Sequence, residues 1–224
     1  MVLKNSLKLI LAGSLVALLA GCASESSRTI EAPKVASFST VYSGEKAAVS
    51  IGRFSNQSSY QNGIFSDGED RLGNQAQSIL ITDLQQSGRF LVMDRTNMKA
   101  IKQESQISKK AQQLKGAKYV ITGDVSEFGR KTTGDKQLFG ILGKGKTQVA
   151  YAKVNLNVVD VATSEVVYAV QGAGEYALSN REIIGFGGTS GYDSTLNGKV
   201  LSLAIREAVN NLVTGLESGA WSLK

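Results

Sequence analysis

The chain contains no histidine, and this absence removes several classes of function. Histidine is the side chain that most often acts as a general base near neutral pH, and it is the commonest protein ligand of metal ions. A histidine-dependent catalytic triad is therefore excluded, and zinc and haem sites are disfavoured. We predict that the protein is not an enzyme and that it holds no metal or cofactor.

Cysteine and proline each occur only once. The single cysteine, Cys22, cannot form an intramolecular disulfide. The residues before it read as an export signal, because Lys4 and Lys8 precede an apolar run from Leu9 to Ala20. A run of about a dozen residues is too short to cross a hydrocarbon core of about 30 Å as a helix. Residues 1–21 are therefore predicted to be a signal peptide that is removed.

The run Leu19-Ala20-Gly21-Cys22 resembles a lipobox, the site at which bacterial lipoproteins are acylated on cysteine and cleaved. We predict that Cys22 carries acyl chains such as palmitate, which hold the mature protein on a membrane. Ala23 stands where an aspartate would indicate retention in the inner membrane. By resemblance to sorted lipoproteins, this favours the outer membrane, with the protein facing the periplasm. The alternative is an ordinary secretory signal with a chance cysteine.

The charge of the chain does not indicate a nucleic-acid partner. The formal charge of +6 falls to about +4 without the signal, which carries two lysines, and the remaining charges are interspersed. Residues 22–44 are rich in Ser, Glu, Thr and Ala and include the only proline, Pro33. This composition predicts a flexible tether, followed by one folded domain over 45–224.

Hydrophobic periodicity predicts strands interleaved with helices in this domain, and therefore an α/β fold with helices flanking a mixed sheet. A first helix is expected between an N-cap at Asn74 and a C-terminal stop at Gly88. Trp221 is expected to pack back on the core. The predicted strands are 47–54, 90–93, 118–125, 148–161 and 166–171, with a hairpin turn at 162–165, and the further predicted helices are 94–104, 108–114 and 199–216.

Three stretches do not belong to that core. Residues 55–73 form a polar connection that is longer than usual, and such loops are generally functional or disordered. The stretches from Glu127 to Thr147 and from Gly174 to Gly198 are rich in Gly, Ser, Thr and Lys. They are predicted to be insertions into the domain.

Residues Gly140 to Thr147 match the pattern G-x-x-x-x-G-K-[ST] of a phosphate-binding loop. That loop needs a buried strand before it and a helix after it, whose N-terminus faces the phosphates. Here the preceding residues are polar and broken by glycine, and Val149 to Val161 alternates as a strand. Export also separates the protein from cytoplasmic ATP. We therefore interpret the stretch as the tip of a basic hairpin.

Several segments resemble the curli secretion channel family of CsgG/HfaB-type lipoproteins. The segment from Tyr119 to Phe128 reads YVITGDVSEF, and Val154 to Glu165 reads VNLNVVDVATSE. The helix and strand from Ala76 to Arg95 and the end of the chain from Ala204 to Leu223 are also similar to that family. Together with the lipobox, these segments follow the family order and cover most of the mature chain.

The resemblance implies a periplasmic domain that assembles into a homo-oligomeric ring, with two β-hairpins from each subunit joining an outer-membrane barrel. Insertions at about 127–152 and 174–199 would be these hairpins. Membrane strands should alternate apolar residues, yet one arm is crowded with charged residues, namely Arg130, Lys131, Asp135 and Lys136. Hairpins that lie against the membrane or against the domain are therefore an alternative.

The family channel also has a constriction loop between the first strand and the first helix. Tyr60 and Phe65 occupy comparable places in the long loop, and the resemblance makes them candidate constriction residues. Ile64 stands where the family has asparagine, and the loop is longer. In the alternative, Phe65 packs onto the domain as a small core contact.

Two hypotheses for the function remain open. The first is an oligomeric outer-membrane component that exports or assembles protein substrates. The second is a periplasmic adaptor on the same fold, which binds partner lipoproteins or a cell-wall synthase without forming a pore. Both rest on the family resemblance, because the residues alone supply no catalytic site.

Overall fold

The computed structural model describes residues 32–60, 68–136, 144–182 and 195–221. Of these, the residues from Lys34 onwards belong to one compact unit. Its elements in chain order are a 3-10 helix (Ala36–Ser39), β1 (Ala47–Asn56), α1 (Arg71–Ser87), β2 (Phe90–Met93), α2 (Met98–Ile107), β3 (Tyr119–Lys136), β4 (Lys144–Asp160), β5 (Val166–Glu182) and α3 (Thr195–Glu217).

Within the described residues, the strands form one open mixed sheet in the order β2-β1-β3-β4-β5. β1 lies parallel to both β2 and β3, while β4 lies antiparallel to both β3 and β5. Parallel neighbours require crossover connections, and α1 and α2 occupy these two crossovers. The predicted α/β fold with a mixed sheet flanked by helices is confirmed.

α1 and α3 pack against each other and against one face of the sheet. α1 contributes Ala76, Leu80 and Leu84, which recur at helical spacing and are buried. On the sheet, the buried side chains of β4 alternate from Ala150 to Val158. The stripe of α3 also lies in this core and consists of Leu201, Ala204, Ile205, Ala208 and Leu212.

Trp221 closes the core at the end of the chain. Its ring stacks at 6.5 Å from Phe90 and at 5.9 Å from Tyr168, and it meets Tyr119 edge-on at 5.7 Å. The indole Nε1 donates a hydrogen bond to the carbonyl oxygen of Leu212 at 3.4 Å. The prediction that Trp221 packs back on the core is confirmed. Such an aromatic cluster contributes both buried area and favourable ring geometry.

β5 approaches α3 so closely that only glycine fits at one point of contact. A Cβ atom on Gly172 would lie 2.2 Å from the backbone oxygen of Ala204 and 2.4 Å from the backbone nitrogen of Ala208. Because backbone atoms cannot rotate away, a larger residue here would push the helix off the sheet. Gly172 therefore fixes the spacing between β5 and α3.

The first helix begins earlier than predicted. Asp70, rather than Asn74, is the N-cap, and its Oδ1 accepts a hydrogen bond from the Gly73 amide at 2.7 Å. Its Oδ2 accepts from the Asn56 amide at 2.8 Å, so the same carboxylate also joins the helix to the end of β1. Gly88 ends the helix at φ 71°, and its predicted role as the C-terminal stop is confirmed.

The second crossover differs more from the prediction. α2 spans Met98–Ile107 instead of 94–104, and the predicted helix at 108–114 is wrong, because that segment is irregular. Lys109 has φ 53°, a left-handed conformation that interrupts a right-handed helix. No residue of α2 is buried, so tertiary packing does not extend the helix beyond its local preference. α3 also begins at Thr195 rather than at 199.

The packed unit also begins before the predicted domain start. The tether was expected to extend to residue 44, but Val35 is only 3% exposed and the 3-10 helix after it joins the core. The amide of Ala36 donates a hydrogen bond to Asn210 Oδ1 on α3 at 3.0 Å. The segment from Lys34 to Gly44 is therefore part of the folded unit.

A buried arginine holds this segment in place. Arg89, immediately before β2, donates from Nη1 to the carbonyl oxygens of Ser37 at 3.2 Å, Thr40 at 3.1 Å and Ser87 at 2.9 Å. Nη2 donates to Thr40 Oγ1 at 2.6 Å, and Glu217 Oε1 accepts from Nε at 2.8 Å and from Nη2 at 2.6 Å. One guanidinium thus joins the N-terminal segment, the end of α1 and the end of α3.

Replacing Arg89 with alanine should lower the free energy of unfolding by about 3–5 kcal/mol, because buried carbonyl oxygens and Glu217 lose their donors. Arg89→Lys should recover little, since an ammonium cannot reproduce the planar fork. Urea unfolding followed by circular dichroism measures both changes. The control is Lys153→Ala, which breaks an exposed pair with Glu127 and should cost less than about 1 kcal/mol. Equal losses in Arg89→Ala and the control would contradict the assignment.

Candidate functional site at the base of the strand extension

β3, β4 and β5 continue beyond the part of the sheet that pairs with β1. β1 pairs with β3 only as far as Val125. Beyond that point β3 and β4 stay in register from Glu127↔Lys153 to Lys136↔Lys144, and β4 and β5 from Lys153↔Ala173 to Lys144↔Glu182. We call these three arms, residues 127–136, 144–153 and 173–182, the strand extension. It overlaps the first predicted insertion, at about 127–152, and the beginning of the second, at about 174–199, whose residues 183–194 lie outside the described residues and whose end belongs to α3.

A small cluster joins the strand extension to the rest of the domain. The ring of Tyr60, at the start of the long loop, packs against the ring of Phe128 with centroids 4.7 Å apart. The Tyr60 hydroxyl accepts a hydrogen bond from Asn197 Nδ2 at 2.7 Å. Asn197 Oδ1 accepts in turn from Arg130 Nε at 2.8 Å. Asn197 on α3 therefore bridges the loop after β1 and the first arm of the strand extension.

Local contacts fix the backbone that carries Tyr60. Asn56 Nδ2 donates to the carbonyl oxygen of Tyr60 at 2.6 Å, and the Tyr60 amide donates to Ser58 Oγ at 3.3 Å. Ser58 Oγ also donates to Asn56 Oδ1 at 2.6 Å. The short polar side chains that gave this stretch the composition of a loop thus build a defined turn. Tyr60 is held half-buried at the base of the strand extension.

Of the residues predicted from the sequence, Tyr60 is the one that the structure locates at this site. Phe65 and Cys22 lie outside the described residues. The sequence did not predict that three further residues lie together at this site. They are Phe128, Arg130 and Asn197. Asn197 gave no signal, because its partners are distant in sequence and an asparagine near a helix start is ordinary.

The face of the sheet opposite α1 and α3 carries a row of polar side chains. Asn155 on β4 donates from Nδ2 to Asp124 Oδ1 at 3.1 Å, and Gln171 on β5 donates from Nε2 to Asn155 Oδ1 at 2.8 Å. Nearby, Lys153 and Glu127 form an ion pair at 2.6 Å. Directly opposite partners of this kind fix strand register. An open depression of about 370 Å³ lies beside this pair, lined in part by Tyr151 and Glu175.

The phosphate-loop pattern ends in a strand. Lys144, Lys146 and Thr147 lie on β4 and pair with β3, so a strand follows the glycine-rich stretch where a phosphate loop needs a helix. The predicted strand over 148–161 is confirmed, with the difference that β4 begins earlier, at Lys144, and ends at Asp160. Residues 137–143 lie outside the described residues, and the predicted hairpin tip is not located.

A buried acidic group lies between α1 and α3. Asp83 on α1 is 4% exposed, and its Oδ2 has no hydrogen-bond partner among the described residues. Burial raises the pKa of Asp83 to about 6, and the positive charge of Arg206 on α3 only partly offsets this effect. Arg206 donates to Ser202 Oγ at 2.9 Å on its own helix.

Neither a metal site nor a membrane-spanning helix is found in the part of the chain that the structure describes. No group of three or more Cys, Asp or Glu residues in the described ranges could hold a metal ion. No helix in these ranges combines the length and the hydropathy that a bilayer crossing requires.

The match to a known protein family gives the class of the chain. The family described as "Curli production assembly/transport component CsgG" matches residues 35–224. The chain therefore belongs to the CsgG family, and the resemblance identified in the sequence is confirmed. The description is that of an assembly and transport component.

One relative and two solved structures are similar to the chain. "Putative lipoprotein NMB1126/NMB1164" of Neisseria meningitidis serogroup B is 67% identical over 216 residues, which are 96% of each chain. The PelC dodecamer from Paraburkholderia phytofirmans is similar at 16% identity, with 82% of this chain and 95% of that chain covered and a TM-score of 0.35. Lipoprotein GNA1162 from Neisseria meningitidis is 14% identical, with coverages of 76% and 99% and a TM-score of 0.36.

Asn197→Ala should release both Tyr60 and Arg130 from α3. Because the substitution removes one donor and one acceptor, we expect a loss of about 1–2 kcal/mol in local stability. Hydrogen exchange should accelerate at residues 58–60 and 128–130 and stay unchanged at β2. The control is Asn211→Ala on the same helix, which removes one exposed bond to the Gln171 carbonyl oxygen. Unchanged exchange at both segments in Asn197→Ala would contradict the bridging role.

Asp83→Asn should alter the pH dependence of stability. The folded pKa of Asp83 is about 6 and lies above 3.8, the ordinary value of an aspartate, so the folded state binds the extra proton and stability falls as pH rises between these values. The ionisation cost amounts to roughly 3 kcal/mol across this window. Asp94 and Asp160 act in the opposite sense, because turn hydrogen bonds lower their pKa values. The difference in urea midpoint between Asp83→Asn and the parent should therefore grow from pH 4 to pH 7, and a constant difference would refute the assignment.

Proposed function

We propose that the protein is a lipid-anchored component of the outer membrane that assembles as a homo-oligomer and exports or assembles protein substrates. The observation that carries this proposal is the strand extension, which continues three antiparallel strands beyond the part of the sheet that pairs with β1. Membership of the CsgG family supports it, because that family is described as a curli assembly and transport component.

The shape of the strand extension supports assembly with other copies. Its arms run as continuations of β3, β4 and β5, which are 18, 17 and 17 residues long. Such strands are long compared with those of ordinary globular domains. Long strand edges away from a core are templates for pairing, and proteins either cover them or use them. In the proposed oligomer, extensions of neighbouring copies associate through these edges.

Tyr60 would act at the base of this assembly. The hydrogen bond from Asn197 and the contact with Phe128 hold its ring at the junction between domain and extension. In a ring of copies, this position would repeat around the axis. We propose that Tyr60, together with Phe65, contributes an aromatic constriction that contacts an unfolded chain in transit.

The lipid anchor completes the proposal. Cys22 would carry the acyl chains, and Ala23 after it favours sorting to the outer membrane. Stable attachment requires more than one acyl chain, which lipoprotein maturation supplies.

A second candidate is an adaptor that forms no pore and binds partner lipoproteins or a cell-wall synthase. The charge of the strand extension favours it, because Arg130, Lys131 and Lys136 lie in one arm. Charged side chains on a lipid-facing surface are destabilising. An adaptor would use the extension as a binding surface in the periplasm.

Electron microscopy of the full-length protein in detergent tests the first proposal. We expect closed rings with a crown formed by the extensions, and monomers alone would refute it. Carbonate washing after removal of the acyl chains separates the two candidates, because a membrane-embedded oligomer stays bound and an adaptor is released.

Conductance in a planar bilayer tests the role of Tyr60. If Tyr60 narrows a conduit, Tyr60→Ala should increase the current through a single oligomer. The control is Tyr42→Ala, which removes an aromatic ring beside Arg89 and away from the extension. Equal currents for Tyr60→Ala and the parent would argue against the constriction.

A further inference from the structure

The open depression of about 370 Å³ lies at the base of the strand extension, on the face of the sheet opposite α1 and α3. It is lined by Tyr151 and Lys153 on β4, by Glu127 on β3 and by Ala173 and Glu175 on β5. The small side chain of Ala173 leaves the space between the longer side chains open. A volume of this size is within the range of sites that hold a small ligand or one side chain. The depression is therefore a candidate binding site.

Tyr151 supplies the aromatic ring of this depression. Its neighbours Ala150 and Ala152 are buried in the core, so the Tyr151 side chain lies on the opposite face of the sheet. The hydroxyl end of the ring lies over Gly129 on β3, where a Cβ atom would be 2.6 Å from the hydroxyl oxygen and 2.8 Å from Cζ. The ring thus reaches across to β3 because residue 129 has no side chain. Tyr151 is still 36% exposed, and a ligand can therefore contact its ring.

Two carboxylates flank this ring. Glu175 on β5 is directly opposite Tyr151 and is exposed. It forms no hydrogen bond or ion pair with any residue that the structure describes. Glu127 on β3 is paired with Lys153, at 2.6 Å between Oε1 and Nζ. The depression therefore contains two carboxylates and one ammonium group, and the charge of Glu175 is left uncompensated.

Charged side chains beyond the depression do not reverse this sign. On the same face of β3, Asp124 lies on the core side of the depression, beside Asn155 of β4. Lys131 lies on the other side, farther along the strand extension, and is exposed. These two charges are opposite and offset each other, so the face around Tyr151 keeps its net negative charge.

An exposed aromatic ring beside an unpaired carboxylate is suited to a cation. The negative face of the ring attracts cations, and in proteins arginine makes this contact more often than lysine. A guanidinium is planar and weakly hydrated, and it can stack on a ring while it donates hydrogen bonds to a carboxylate. An anionic ligand would be repelled by Glu175, and an apolar one would remove water from that carboxylate without replacing its hydrogen bonds.

We propose that this depression binds an arginine side chain of a partner polypeptide, with the guanidinium between the Tyr151 ring and the Glu175 carboxylate. The inference rests on the proposed function for the identity of the partner, which is the protein that is exported or assembled. It adds the type of residue that such a protein presents to the strand extension.

Fluorescence anisotropy of a labelled peptide tests the proposal with the full-length protein in a neutral detergent. The probe is a nonapeptide of glycine and serine with one central arginine. The matched peptide has citrulline at that place, which keeps the shape of arginine without its charge. We expect the citrulline peptide to bind about fivefold more weakly, and this difference should shrink at high salt. Equal affinities for the two peptides would refute the proposal.

Substitutions of the charged residues should change the affinity in opposite directions. Glu175→Gln should weaken binding of the arginine peptide about threefold, because the unpaired carboxylate is lost. Lys153→Ala should strengthen it, because Glu127 then adds a second uncompensated charge. A general loss of folding cannot produce both changes. Glu165→Gln is the control, since Glu165 is exposed in the turn between β4 and β5, outside the depression. Equal effects of Glu175→Gln and Glu165→Gln would overturn the assignment.

Substitutions of Tyr151 test the contribution of the ring. Tyr151→Leu should weaken binding of the arginine peptide about threefold, whereas Tyr151→Phe should leave it unchanged, because phenylalanine keeps the ring face and loses only the hydroxyl. If both variants bind as the parent does, the ring takes no part and the proposed site is wrong.

Other occupants of the depression give different results. Binding of chitotetraose, a neutral oligosaccharide, in place of the arginine peptide would identify a glycan site and overturn the proposal. Peptide binding by the monomer that is lost in the oligomer would mean that a second copy covers the depression, and this result would also overturn it.

The experiments separate this inference from the proposed function. Closed rings in electron microscopy without selective binding of the arginine peptide would refute the inference and leave the proposed function standing. Monomers alone, with the peptide still bound selectively, would refute the proposed function and support an arginine site on an adaptor.

Discussion

The packing of the N-terminal segment against the end of α3 depends on the hydrogen bonds that the Arg89 guanidinium donates. The guanidinium accepts no hydrogen bond and is fully charged, so burying it requires several acceptors. Those acceptors come from the 3-10 helix segment, from the end of α1 and from Glu217 at the end of α3. These elements are distant in sequence, and the buried charge is stable only when all of them are in place. The N-terminal segment thereby becomes part of the core rather than the end of a flexible linker.

The packing of α3 on the sheet also determines where the strand extension leaves the domain. α3 is positioned on β5 by the close approach at Gly172, and its first turns carry Asn197, which reaches both Tyr60 and Arg130. The extension therefore leaves the domain from a base held by side chains of three different elements. Binding and transport residues are generally placed on segments that a rigid scaffold positions in this way.

Most of the fold could be predicted from periodicity, since the strands at 47–54, 90–93 and 148–161, the stop at Gly88 and the packing of Trp221 all follow local patterns. The helix predicted at 108–114 does not form, because its apolar residues have no surface of the domain to pack against. The network of Arg89 could not be predicted, because its acceptors are mainly backbone carbonyls and Glu217 lies 128 positions away. The bridge from Asn197 to Tyr60 spans 137 positions and depends on tertiary structure alone.

The inclusion of residues 34–44 in the packed unit has a consequence for encounters between copies. If Cys22 carries the lipid, only about a dozen residues separate it from Lys34, and a fully extended chain of that length reaches roughly 40 Å. The domain is then confined to a thin layer along the membrane, and copies meet by diffusion in two dimensions rather than three. Such confinement raises their effective concentration, so that lateral contacts too weak to persist in free solution become sufficient for assembly.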